Sequence, residues 1–200
     1  CHNNSGGILV FDLPDLEVKS GKNVRVFNNI ILENKFRNFA PIGNIVGSVP
    51  SGTGVMILAT SNVEIFNNKI YDNKTANTSV VSYYILEEPI TDVDYYPYPN
   101  NIFIHNNYYK RNKQLPSLSF KQPIGILLAL KFFNNVPDII FDGILDEENI
   151  NQENYVPLCL NNNINATFLN LDAANEFKNI STSSDDFECT LPTINPTTFE

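Results

Sequence analysis

The chain has 200 residues, the usual size of one domain, and its 13 Lys and Arg against 22 Asp and Glu give a formal charge of −9. This charge repels a phosphate backbone over most of the surface, which excludes nucleic acid as the expected partner. The longest apolar run, residues 124–130, is shorter than the ~20 residues of a membrane-spanning helix, so no membrane span is expected in this chain.

Asparagine is the unusual feature of the composition, with 31 copies. Asn is a poor former of helix interiors and a good occupant of turns, because its short amide bonds to nearby backbone groups. The composition therefore predicts a chain made mostly of strands and turns.

The N-terminal stretch, CHNNSGGILVF, already has the pattern of the middle of a repeat. We expect a C-terminal fragment with earlier turns and any export signal upstream. Cys1 is then either an ordinary residue or the lipid-carrying cysteine of a mature lipoprotein.

Three related phrases dominate the first half of the chain: NVRVFNNIILEN from Asn23, NVEIFNNKIYDN from Asn62 and NIFIHNNYYKRN from Asn101. They begin at a constant interval of 39 residues (62 − 23 = 101 − 62 = 39). Apolar and polar residues alternate within each phrase, which is typical of a strand with one buried face.

A second apolar phrase precedes each unit: GILVF from Gly7, GVMIL from Gly54, VVSYYI from Val80 and GILLAL from Gly125. We interpret these as first strands of four turns, the fourth turn having PDIIFDG from Pro137 in place of the asparagine phrase. Such units cannot bury their inner faces alone, so the copies are expected to stack as a solenoid of parallel sheets. An antiparallel sandwich is the weaker alternative, because Asn-Gly hairpin turns are absent and the repeat stays in register.

The recurring amides have a structural explanation in a stacked fold. At a sharp corner, an Asn side chain can bond to the equivalent Asn above and below it. Asn29, Asn68 and Asn107 are the expected ladder, with Asn34, Asn73 and Asn112 as a second candidate.

Several phrases carry a family resemblance: SGGILVFDLP, VRVFNN, GTGVMILA, VEIFNN, DYYPYPNNIFIHNN and NATFLNLDA. From about Ser5 to the region of Cys189, the chain resembles the right-handed parallel β-helix repeat family of bacterial envelope proteins. The resemblance implies an all-β, right-handed parallel β-helix of about four to five turns with an irregular C-terminal cap. It also implies export, often as a lipoprotein, and a gene neighbour encoding a dihaem c-type cytochrome-like protein, but it implies no catalytic residue.

The expected organisation is a set of turns over residues 1–143, followed by last strands and a cap over residues 144–200. A solenoid end exposes unpaired strand edges, so this cap is expected to cover them. We expect a disulfide between Cys159 and Cys189 to fix the cap in an oxidising compartment, two buried thiols being the alternative.

Two long insertions, residues 12–22 and 86–100, follow first strands and are expected to project from the same edge. Together they are acidic and aromatic. The predicted ligand-binding residues are Asp12, Asp15, Glu17, Glu88, Asp92, Asp94, Tyr95, Tyr96 and Tyr98, with Glu87 beside them.

Three interpretations of this edge are open. Carboxylates suit calcium, although DVDYYPYP lacks the spacing of a calcium loop. Tyrosines beside carboxylates suit sugar rings. The third interpretation is that the charges keep the loops solvated while Tyr and Pro stiffen them.

An enzymatic role has to be considered, because parallel β-helices include polysaccharide lyases and uronate epimerases. Such chemistry needs a base and a group that neutralises the uronate carboxylate. The candidate bases are Tyr95, Tyr96, Lys110 and His105, and the candidate neutralisers are Arg37, Arg111 or a bound calcium. His105 takes the repeat position of Phe27 and Phe66, which favours a wall residue over a base.

The sequence therefore predicts an exported binding or scaffold module of the cell envelope, periplasmic, outer-membrane associated or secreted, that takes carbohydrate or a protein partner. The alternatives are a polysaccharide lyase or uronate epimerase acting on an acidic glycan, and an assembly partner of an envelope redox protein.

Overall fold

A computed structural model describes residues 1–41, 43–152 and 155–196. Within these residues twelve strands form three parallel sheets. The five-stranded sheet contains β1 (Gly6–Phe11), β4 (Thr53–Leu58), β7 (Ala76–Val81), β10 (Ile139–Phe141) and β12 (Phe168–Asn170). The four-stranded sheet contains β2 (Lys22–Phe27), β5 (Ser61–Phe66), β8 (Asn100–His105) and β11 (Leu158–Asn161), and the three-stranded sheet contains β3 (Ile30–Leu32), β6 (Lys69–Tyr71) and β9 (Tyr108–Lys110). The helix α1 (Ile124–Phe132) and the 3-10 turns Ile45–Ser48, Tyr83–Leu86, Ala173–Asn175 and Asp185–Phe187 complete the described elements.

Strands from the three asparagine phrases lie side by side in the four-stranded sheet. Val63 pairs with Val24 on one side and with Ile102 on the other, and every pair in this sheet is parallel. The inward residues at these positions, with those of the other two sheets, form one hydrophobic core. Period-2 alternation therefore directs equivalent side chains of successive phrases to the same interior.

The expected all-β, right-handed parallel β-helix of four to five turns is wrong. The strands form three separate sheets of five, four and three strands, and no closed solenoid is present among the described residues. The last passes of the chain do not add a strand to every sheet: β10 and β12 join the five-stranded sheet and β11 joins the four-stranded sheet, while the three-stranded sheet ends at β9.

The fourth unit is also corrected. GILLAL, expected as a strand, lies in α1, where Leu and Ala favour a helix more than the β-branched residues of the other phrases do. Leu128 is buried against Ile140 and Leu169, so the helix covers part of the five-stranded sheet. PDIIFDG contributes β10 to that same sheet beside β7, and the asparagine-phrase position is taken by β11.

Two further boundaries differ from expectation. The strand expected from Val80 begins at Ala76 and ends at Val81, and Tyr83–Leu86 is a 3-10 turn. In the predicted cap, residues 144–200, β11 and β12 join two of the sheets, while residues 153–154 and 197–200 lie outside the described residues.

The two residues of each Asn-Asn pair have different structural roles. The first Asn of each pair, at positions 28, 67 and 106, has positive φ of 56°, 53° and 53°, the left-handed backbone that Asn tolerates. The second points inward and joins a chain of amides: Asn29 donates to Asn68 Oδ1 (3.1 Å), Asn68 to Asn107 Oδ1 (3.0 Å), and Asn107 to Asn163 Oδ1 (3.0 Å).

The second candidate ladder takes a different course after its first step. Asn34 donates to Asn73 (2.8 Å), which donates to Asn77 (2.9 Å), and Asn77 donates to Asp138 Oδ1 (2.7 Å). Asn112, expected as the third member, instead donates to Asp72 Oδ2 (2.9 Å). Asn77 takes this place because it belongs to β7, the strand that follows directly after the corner.

Candidate functional site

The two long insertions contact each other along the edge where the sequence places the ligand site. The backbone N–H of Asp15 donates to Asp92 Oδ2 (3.1 Å), and Lys19 Nζ lies 2.6 Å from Asp92 Oδ1. The phenol of Tyr95 donates to the carbonyl oxygen of Asp12 (2.8 Å). Hydrogen bonds from Lys19 and from the Asp15 backbone hold the pKa of Asp92 below its ordinary value.

These contacts use the groups that were expected to meet a ligand. Asp12 and Tyr95 are buried, and the Tyr95 ring packs edge-on against Tyr83. Asp94 is exposed and lies 3.7 Å from Lys19, and the other exposed acidic residues of the two insertions are Asp15, Glu17, Glu87 and Glu88. Within the described ranges, no group of three or more His, Cys, Asp or Glu side chains is arranged to hold a metal ion.

The remaining two predicted tyrosines belong to a neighbouring cluster. Tyr96 donates to Asp146 Oδ2 (2.8 Å), and its ring lies 5.5 Å from that of Tyr98, which also contacts Tyr84. Burial raises the pKa of Tyr96, and it raises the pKa of Tyr98 to about 12. Both phenols therefore stay protonated at neutral pH, where they form hydrogen bonds.

Beside this cluster lies a groove of about 520 Å³, which we call the amide groove. It runs between the first insertion, the start of the four-stranded sheet and a loop near residue 150. Its lining is Asp12, Ser20, Gly21, Lys22, Ala59, Ser61, Asn62, Tyr96, Asn100, Asn101, Asn149, Gln152 and Tyr155. Five primary amides and two tyrosines thus share one groove.

A third amide chain leads away from this groove along the outer face of the four-stranded sheet. Asn101 donates to Asn62 Oδ1 (3.1 Å), and Asn62 donates to Asn23 Oδ1 (3.3 Å). All three have positive φ, which turns their side chains to the outer face. They are the first residues of the three repeated phrases. This regularity is visible in the sequence, but it was not among the features used to predict a site.

The amide chain continues into a second cavity, of about 670 Å³, beneath residues 191–195 of the C-terminal tail. Its floor includes Glu64, whose side chain is 1% exposed. Glu64 accepts from Arg25 Nε (3.3 Å) and from the backbone N–H of Ile194 (3.1 Å), and its Oε1 lies 3.0 Å from His105 Nε2. Glu64 was not predicted as a site residue from the sequence. A polar residue in an alternating strand is ordinarily expected on its solvent-exposed face, so Glu64 did not stand out.

Like Tyr96, which donates to Asp146, His105 is a candidate base that lies beside a carboxylate, here that of Glu64. Its ring is stacked between Phe66 and Phe103, with centroids at 5.3 and 4.1 Å, which is the wall position that its repeat register predicts. The other candidates for catalysis are dispersed. Arg111 is half-buried and donates to the carbonyl oxygens of Lys74 and Thr75 (both 3.0 Å), and burial lowers the pKa of its guanidinium.

The predicted disulfide between Cys159 and Cys189 is confirmed. It joins β11 to the tail, where the Cys189 N–H also donates to the carbonyl oxygen of Leu160. The tail thus lies over the outer face of the four-stranded sheet. A disulfide of this kind persists in oxidising compartments.

No helix in the described part of the chain has the length and apolar character needed to cross a membrane. No protein-family model matches the chain, and comparisons with curated proteins and with solved structures also found no match. The resemblance to an envelope repeat family stays a prediction.

Proposed function

We propose that this protein is an exported binding module of the cell envelope and that its amide groove takes a carbohydrate. The observation that carries the proposal is the composition of the groove lining, in which five primary amides and two tyrosines face one cavity of about 520 Å³. Export is supported by the disulfide between Cys159 and Cys189.

The chemistry of the lining matches that of a saccharide. Each sugar hydroxyl both donates and accepts a hydrogen bond, and a primary amide offers the complementary pair of groups. The apolar face of a sugar ring packs on an aromatic ring, here Tyr96 or Tyr155. Small-molecule sites combine such aromatic surfaces with a few fixed polar groups in cavities of roughly 300–1,000 Å³.

Several of these groups are already fixed by the protein. Asn149 donates to Asp146 Oδ2 (2.6 Å), and Tyr96 donates to the other side of the same carboxylate oxygen (2.8 Å). Burial alone would raise the pKa of Asp146, but these hydrogen bonds lower it, so the carboxylate stays ionised as their acceptor. Pre-fixed side chains reduce the entropy lost on binding.

A panel of neutral and acidic glycans, followed by calorimetry on each glycan that binds, tests the proposal. Replacing Tyr96 with Ala removes one stacking face and should weaken binding about tenfold, since an aromatic contact contributes up to about 1.5 kcal/mol. Tyr84→Ala is the matched control, because Tyr84 is in the same cluster but outside the groove lining. Equal losses in both variants, or no glycan binding by the native protein, would contradict the proposal.

A polysaccharide lyase or uronate epimerase is a second candidate, favoured by the 3.0 Å contact between His105 and Glu64, which lies in the floor of the second cavity. Incubation with uronate polymers should then give unsaturated products that absorb in the ultraviolet, or inverted uronates seen by NMR. His105→Gln should abolish the activity while leaving glycan affinity unchanged. Binding without turnover would leave the binding module as the function.

The role as an assembly partner of an envelope redox protein rests on the family resemblance alone and stays a prediction. Co-purification from native membranes tests it, and recovery without any cytochrome would count against it.

A further inference from the structure

A larger cleft, of about 1,230 Å³, lies on a different part of the molecule. Two segments flank it, one including residues 35–41 and 43–48 and the other residues 115–122. Four cations are in its described lining, Lys35, Arg37, Lys74 and Lys121, against one carboxylate, that of Glu88. We call this the basic cleft.

The positive charge of the cleft reflects an uneven distribution of acidic and basic residues along the sequence. No Asp or Glu occurs between Asn34 and Val63 or between Tyr95 and Pro137. These two stretches carry seven of the 13 Lys and Arg, while all 22 acids lie elsewhere. Both stretches border the basic cleft, to which they contribute Lys35, Arg37 and Lys121. Lys35 is partly neutralised by Glu33 at 3.2 Å, a pair exposed to solvent.

The same two segments expose large apolar side chains beside their cations. Phe120 is 97% exposed next to Lys121, and Phe39 is 90% exposed two residues after Arg37. Leu118 (60%) and Phe36 (58%) are exposed nearby. Isolated aromatic rings at loop tips, flanked by Lys and Arg, are typical of segments that enter the interfacial region of a membrane.

These segments are held in place rather than free to fold back over the apolar groups. The side-chain oxygen of Gln122 accepts from the Ser51 N–H (3.2 Å), and its amide donates to the Gly47 carbonyl oxygen (2.9 Å). Asn38 donates to the carbonyl oxygens of Val46 and Val49. The first segment is thus closed on itself and tied to the second, with the aromatic tips outside.

We propose that this face docks on an anionic lipid surface, with Phe39, Leu118 and Phe120 entering the headgroup region and the cations of the basic cleft contacting lipid phosphates. Charge complementarity selects a lipid surface over symmetric pairing with a second copy of the chain, because in such a dimer two cationic cleft linings would face each other. The docking face is separate from the amide groove, so it would hold a glycan-binding site near a membrane without covering it.

Co-sedimentation with vesicles tests the proposal. The full chain should sediment with vesicles of phosphatidylglycerol and phosphatidylcholine and remain in solution with phosphatidylcholine alone. A cation near an anionic surface strengthens binding about fivefold, so Arg37→Gln with Lys121→Gln should weaken it about twenty-five-fold. The control is Lys69→Gln with Lys178→Gln, which makes the same charge change at two exposed lysines elsewhere.

The apolar contribution to vesicle binding is tested by a second pair of variants, one test and one control. Phe39→Ser with Phe120→Ser should reduce vesicle binding at high salt, where the electrostatic attraction is screened. Val18→Ser with Val93→Ser is the control, because these residues are 84% and 96% exposed in the acidic insertions. Equal binding to neutral vesicles, equal losses in test and control variants, or a dimer abolished by the Phe substitutions would each overturn the proposal. Thermal unfolding of all four variants shows whether each is folded.

Discussion

Asn68 is the side chain on which the stacking of the four-stranded sheet depends most. Its Oδ1 accepts from the backbone N–H (3.0 Å) and side-chain amide (3.1 Å) of Asn29, and its Nδ2 donates to the carbonyl oxygens of Val26 (2.8 Å) and Phe66 (3.0 Å) and to Asn107 Oδ1 (3.0 Å). The side chain is 1% exposed, so water does not replace these bonds in the folded state. Asn68→Ala would leave all of these partners without it.

The cost follows from this count of bonds. Nδ2 has two hydrogens for three acceptors, so the five contacts amount to about four full hydrogen bonds, each worth about 1 kcal/mol net. We expect Asn68→Ala to lower the free energy of unfolding by about 4 kcal/mol. Asn29→Ala, at the exposed end of the same ladder, removes only donations to Asn68 and Phe27 and should cost about 1 kcal/mol.

Urea unfolding followed by circular dichroism measures both values on the same protein. Equal denaturant slopes for the native protein and the two variants would show that the comparison is valid. If Asn68→Ala costs no more than Asn29→Ala, the amides do not hold the stacked strands together and the reasoning is wrong.

Three other predictions concern stability. Burial raises the pKa of Asp142 from 3.8 to about 6, so the folded protein binds the proton of Asp142 more tightly than the unfolded chain does. The free energy of unfolding should therefore fall by about 3 kcal/mol as the pH rises from 4 to above 6. Unfolding of the native protein and of Asp142→Asn over a series of pH values isolates the contribution of Asp142. No difference between the two series in that window would refute it. Gly54→Ala places a Cβ against the Asn77 carbonyl oxygen and the Asn73 amide, and should lower the midpoint of thermal unfolding by several degrees. An unchanged midpoint would contradict the close approach of these two groups to Gly54. Replacing Cys159 and Cys189 with Ser removes a disulfide between residues 30 positions apart and should lower the free energy of unfolding by about 3–4 kcal/mol. If reduced and oxidised native protein have the same mass after thiol alkylation, the disulfide is absent.

Strand pairing was the part of the fold that the sequence predicted best. Alternation around Val63 specifies which residues face inward, and the constant spacing places them beside Val24 and Ile102, because a slip of one residue would expose the whole set. The interpretation of GILLAL as a strand failed because a short apolar run fits a buried helix equally well. Closure into a single solenoid was not determined by the local pattern either, since it depends on how the last, degenerate units extend each sheet.

The site was only partly predictable for a related reason. The insertions at residues 12–22 and 86–100 do contact each other, and Tyr96 lines a groove at that edge. The sequence could not show that Asp92 and Tyr95 would be used in loop-to-loop contacts. It also could not show that Asn149 and Tyr155, far along the chain, would complete the groove, because their placement depends on the path of an irregular loop.

The central claim, that the amide groove is a carbohydrate site, is tested most directly by a crystal structure of the protein with the tightest-binding glycan from the panel. The account predicts electron density for a sugar ring packed on Tyr96 or Tyr155, with hydroxyl groups within hydrogen-bond distance of Asn62, Asn101 or Gln152. Density for the glycan elsewhere on the protein, with the amide groove holding only water, would contradict it.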